Sequence, residues 1–156
     1  MKRFGFACVA LILCVVLGAV AEDEDKDKDK KNGPDEAVAA RTIRQLNNAQ
    51  MVYANAHADE GFACTLKQLG AATENVVTPE LASGKMKGYR FNINCAEGDK
   101  PYTRVTMVAV PIDAHEHARS FCSDMYVSMG KVVGGVINAA KDGKDVTCLV
   151  KGAPVR

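Results

Sequence analysis

The stretch that most constrains the fold runs from Pro34 to Ala58, PDEAVAARTIRQLNNAQMVYANAHA. At helical spacing Ala39, Ile43, Leu46, Ala49, Tyr53 and Ala56 fall on one stripe, while Arg41, Arg44, Gln45, Asn48 and Asn55 fall mostly off it. That pattern predicts an amphipathic helix with a narrow, alanine-rich apolar face. Pro34 suits a first helical position, and Asp35 and Glu36 put negative charge at the positive end of the helix dipole. Gly61 is the expected stop. Small side chains on the buried face let a broad partner approach closely, and the β-type runs later in the chain identify that partner as a sheet.

Before the helix lie two segments that cannot belong to a core. Lys2 and Arg3 precede an apolar run from Phe4 to Leu17, and Ala19-Val20-Ala21 then offers an A-x-A cleavage site. This is the layout of a secretory signal peptide over residues 1–21. The alternative is an uncleaved anchor, with Phe4–Ala21 at the short limit of a membrane span and the basic end cytoplasmic. Residues 22–33 carry the run EDEDKDKDKK and read as a charged, disordered tether. Residues 34–156 are then one globular domain. The expected location is periplasmic or secreted, or the inner membrane if the anchor is retained.

Cleavage changes the charge and the cysteines. Lys+Arg falls from 20 to 18 against 19 Asp+Glu, so the mature net charge is −1. Such a chain has no basic field to hold nucleic acid. Four cysteines remain, Cys64, Cys95, Cys122 and Cys148, and an even number in an exported chain reads as two disulfides. Three pairings are open on sequence alone.

Beyond the helix, Phe62–Gly88 reads as a connecting region with two short helical turns. The first has Thr65 and Gln68 as a capping box with Gly70 as its stop. The second has Thr78 as cap, Pro79 at its first position and Gly84 as its stop. The period then becomes two. Tyr89, Phe91 and Ile93 alternate with Arg90, Asn92 and Asn94, and Val105, Met107 and Ala109 with Arg104, Thr106 and Val108. A turn at Glu97–Pro101 makes these a hairpin. Ser120–Met129 and Lys131–Ala139 are the next strands, with a bulge or tight bend at Gly134-Gly135. Asp142-Gly143 is a turn, and Val146–Val150 a last short strand. The expected class is α+β: one long N-terminal helix packed on a C-terminal antiparallel sheet of about four strands, whose other face is wet.

Few residues invite chemistry. His115 and His117 flank Glu116 in a polar excursion, Ile112–Arg119, and His57 lies far away. Alternate histidines can share a metal, but further ligands and second-shell support are not visible nearby. Exposed loop histidines are therefore the preferred reading, and a small metal-binding protein or enzyme using His115 and His117 is the alternative of another class. No Cys-x-x-Cys, G-x-S-x-G, H-E-x-x-H or P-loop pattern occurs. The expectation is a non-enzymatic protein with no catalytic residue, metal or cofactor.

Several pieces in order resemble the type IV pilin and major pseudopilin superfamily. AARTIRQLNNAQMVYANAHADEGFACTLKQLG (Ala39–Gly70) is similar to the second half of a pilin helix entering its connecting segment. LASGKMKGYRFNI (Leu81–Ile93) resembles the entry to the first strand, and YTRVTMVAVP (Tyr102–Pro111) the second. RSFCSD (Arg119–Asp124) with the Asp142-Gly143 turn resembles the third strand and the segment beyond it. The likeness spans about residues 37–150. It implies a helix-on-sheet exported domain acting as a structural or binding module of the bacterial cell envelope, with a protein partner in envelope or filament. A membrane-anchored accessory pseudopilin of a type II secretion or type IV pilus system is the alternative. The prepilin cleavage motif is missing: Gly18 is followed by Ala19-Val20-Ala21-Glu22, and the apolar run stands before the cleavage site instead of after it.

Overall fold

A computed structural model describes residues 34–73, 76–98, 100–113, 118–141, 149 and 153–155. Residues 1–21 and 22–33 lie outside the described residues. No helix among those described is long and apolar enough to cross a membrane.

The long helix forms where the apolar period predicts it, as α1 (Glu36–Ala56). Asp35 is its cap: the Asp35 carboxylate accepts from the Val38 amide at 3.0 Å. That satisfies one of the amides a helix start leaves free. Pro34 therefore stands outside the helix, against Gly88, where any side chain would run into it. The helix ends at His57, whose amide bonds the Tyr53 carbonyl, four residues before Gly61. Gly61 instead holds a positive φ of 77° and pairs with Tyr102 as a parallel bridge. The buried face is wider than the expected stripe. It adds Ala40, Thr42, Asn47 and Gln50 and loses Ala56, which is exposed.

The connecting region contains α2 (Leu66–Ala72) and α3 (Pro79–Ala82). Thr65 Oγ1 accepts from the Gln68 amide at 3.0 Å, and Gln68 Oε1 accepts from the Cys64 amide at 3.0 Å, one residue before the cap. Gly70 does not stop α2, which continues to a cap at Thr73. Gly70 sits against Val77, so it serves close packing. Thr78 caps α3 with Pro79 at its start, and Gly84 follows at φ 80°.

Among the described residues the sheet is antiparallel with six strands in sequence order. The four long strands are β2 (Tyr89–Cys95), β3 (Arg104–Pro111), β4 (Ser120–Ser128) and β5 (Lys131–Ala140). Two-residue strands flank them, β1 (Lys85–Met86) and β6 (Ala153–Pro154). Their brevity is why a period-two reading finds about four. Val146–Val150, apart from Leu149, and Asp142-Gly143 lie outside the described residues. Gly134 and Gly135 have φ of 106° and 81° at a register shift between Ser123 and Met125. The expected bulge is there.

Helix α1 lies on β3, β4 and β5. Ile43, Leu46 and Tyr53 share one core with Phe91, Met107, Phe121 and Met125. Fully burying each large side chain is worth about 1.5–3 kcal/mol. The opposite sheet face is not simply wet. Val108, Cys122 and Ala140 form a second buried cluster there. Cys122 is disulfide-bonded, and Cys64 and Cys95 bond each other.

Candidate functional site

Three segments meet at the C-terminal end of α1: the loop from His57 to Cys64, helix α2, and the connection between β2 and β3. Cys64 and Cys95 are joined there, their Cα atoms 5.2 Å apart across a sequence separation of 31. This is one of the three open pairings, now chosen by the fold. The alternation of β2 brings Cys95 to the helix side, while the short run after α1 brings Cys64 to the same point. A disulfide of this kind is consistent with an oxidising compartment.

Gln50 fixes the loop from inside. Its Nε2 donates to the Ala63 carbonyl at 2.7 Å and its Oε1 accepts from the Ala63 amide at 2.9 Å. A fully buried amide side chain thus acts as a strand neighbour for one residue. The Phe62 amide donates to the Tyr102 carbonyl at 3.0 Å, and the Tyr102 amide to the Glu60 carbonyl at 2.8 Å. The loop is therefore stitched to the β2–β3 connection on its other side.

A polar cluster closes this end. Glu60 Oε2 accepts from Tyr53 Oη at 2.9 Å, Gln68 Nε2 at 2.9 Å and Lys100 Nζ at 3.2 Å. Gln68 Nε2 also donates to Tyr53 Oη at 2.5 Å. The bond from Tyr53, and then that from Lys100, hold the Glu60 carboxyl below its usual range. Burial, and then the bond to Glu60, push the Tyr53 phenol up. The bond to Glu60 raises the Lys100 ammonium. His57 stacks on Tyr53 with ring centroids 4.4 Å apart, so this histidine packs on the cluster.

Beside the disulfide an open cleft of about 360 Å³ is lined by Cys64, Cys95, Asn94, Glu97 and Tyr102 among others. Its groups are amide, carboxylate, phenol and oxidised sulfur. That set suits hydrogen bonding to a polar surface. With both sulfurs in a disulfide, neither is a thiolate nucleophile.

A second latch stands at the other end of α1. Glu36 accepts from the Arg119 backbone amide at 3.0 Å and from Arg119 Nε at 2.8 Å, with Arg119 Nη2 at 2.6 Å. The Arg119 guanidinium lies over the Phe121 ring, 5.4 Å from its centroid. Tyr89 Oη donates to the Arg119 carbonyl at 2.9 Å, and burial, then the Glu36 charge, push the Tyr89 phenol up.

Of the residues the sequence singles out, Cys64 and Cys95 come together, while Cys122 stands on the far face of the sheet. His115, Glu116 and His117 lie outside the described residues, as does Cys148. Among the described residues no group of three or more His, Cys, Asp or Glu could hold a metal ion. Sequence reasoning misses Glu60, Tyr53 and Lys100 as a cluster, because their spacing follows no period. The one available signal is Gln68, already marked by its capping box. Comparisons with protein-family models, with curated proteins and with solved structures gave no match.

Proposed function

We propose that the chain is a non-enzymatic exported domain of pilin-like architecture, a structural or binding module of the bacterial cell envelope. The observation that carries this reading is the joint at the end of α1. A long helix laid across an antiparallel meander is tied to it by a disulfide, by the Gln50 clamp and by the Glu60 cluster. Such a joint makes helix and sheet one rigid body, which is what a module transmitting position or presenting a surface requires. The polar cleft beside the disulfide and the exposed part of the outer sheet face, around Arg90, Asn92 and Asn94 of β2, are the surfaces offered to a protein partner.

Intact mass of the protein from its native envelope, before and after reduction and alkylation, tests the reading. A chain beginning at Glu22, with four cysteines alkylated only after reduction, is the expected result. A chain retaining residues 1–21 turns the reading to a membrane-anchored accessory pseudopilin. Free cysteines in the native protein sink the exported, disulfide-bonded module.

A further inference from the structure

The hairpin of β4 and β5 differs in charge from the rest of the chain. Met125–Ala140 is 16 residues long and holds one charge, Lys131, in a chain that is 25% charged. Its two-residue turn, Met129-Gly130, has φ of 50° and 74°, the conformation for which Asn-Gly or Asp-Gly is favoured. A methionine in the first place is conformationally costly. It is also 99% exposed, so no packing in this chain offsets that cost.

The side chains are graded along the hairpin. Met129 is the apex. At the third pair back from the turn Tyr126 and Val133 face each other across the strands and are 42% and 40% exposed, with Val127, one pair nearer the turn, at 37%. Next to Tyr126 on β3 is Arg104, whose guanidinium forks onto Asp124 at 3.1 and 2.7 Å. The Asp124 carboxylate behind the tip is thus paired with a cation, and the charged residue beside the apex, Lys131, is a cation. This is a convex apolar point, then an aromatic phenol, then charge. It is the grading of an element that enters a lipid interface, where tyrosine sits at headgroup level and lysine lays its stem on apolar surface.

We propose that the tip of this hairpin, Tyr126–Val133, docks on an anionic lipid surface. Met129 enters below the headgroups, Tyr126 lies among them and Lys131 pairs with their negative charge. One apolar point and one cation give weak, reversible attachment. Docking is independent of whether residues 1–21 are retained.

The chain contains no tryptophan, so M129W makes the apex its own reporter in the full-length protein. V52W places the same probe on the exposed side of α1. With phosphatidylglycerol vesicles the M129W emission moves to the blue and is quenched by lipids brominated on their acyl chains, while V52W stays water-like. K131E in the M129W background weakens the vesicle-dependent change about fivefold or more at low salt. If M129W loses cooperative unfolding, V133W replaces it. An M129W probe that stays water-like overturns the proposal, even if the protein floats with the vesicles through residues 4–17. So does an equal shift in V52W, or a lipid-independent shift that grows with protein concentration, which marks a second copy.

Discussion

Single residues in this molecule matter most where backbone meets backbone. Gly134 shows it: a Cβ there would run into the Asp124 carbonyl oxygen, and the φ of 106° is itself unfavourable for a side chain. Gly130 also has a positive φ but has nothing within 4 Å of such a Cβ. Gly134→Ala is therefore expected to lower stability by about 1–3 kcal/mol or more, and Gly130→Ala by distinctly less. Urea unfolding of the two variants checks the order, and equal losses would remove the steric argument. Gln50 is the side-chain counterpart. Leaving the Ala63 amide and carbonyl buried without it costs about 1–3 kcal/mol for each unsatisfied group. The Gly134-Gly135 bulge was legible in the sequence because paired glycines inside a strand pattern have few other uses. The Gln50 clamp was not, since its partner is a backbone group 13 residues away that no side-chain pattern reveals.

At the scale of elements, α1, α2, α3 and the four long strands follow from period and capping alone. What period cannot give is the width of a buried face. Thr42, Asn47 and Gln50 are all buried, and the two amides are tied to backbone groups there, Asn47 to the Gly135 carbonyl and Gln50 to both backbone groups of Ala63. Edges fail for a different reason, because two residues are too few to show alternation. The disulfide is the element-level tie, joining the α1–α2 connection to the end of β2. Replacing Cys64 and Cys95 together by serine opens a loop of sequence separation 31, which the chain-entropy model values at about 3–4 kcal/mol. The expected result is a lower denaturant midpoint with helix content retained, read by circular dichroism. An unchanged midpoint would mean that the Gln50 clamp and Glu60 cluster hold the joint without the sulfur bridge.

For the whole molecule, pH acts through the same joint. Glu60 has a carboxyl held below its ordinary value of 4.5, so its contribution is fully present above that pH. It fades as pH falls through the depressed value. Tyr53 and Lys100 are raised above ordinary values of 10.0 and 10.5, so their contributions fade as pH climbs past that range. Thermal midpoints should fall on both sides of a neutral plateau. Glu60→Gln should shrink the acid limb relative to the parent, and an acid limb identical in the variant would place the titration elsewhere. The sheet has one more consequence, for the order in which the chain is made. Every strand pairs with its neighbour in sequence, so sheet contacts are local and quickly closed. Helix α1 is the exception. It leaves the ribosome before all of them, yet its cover of β3, β4 and β5 is complete only after residue 140 has been synthesised. Until then that flank is covered only in part, by α2 and by whichever of β3 and β4 has already emerged. The nascent chain therefore spends most of its synthesis presenting a half-covered helix, the form a holding chaperone would meet.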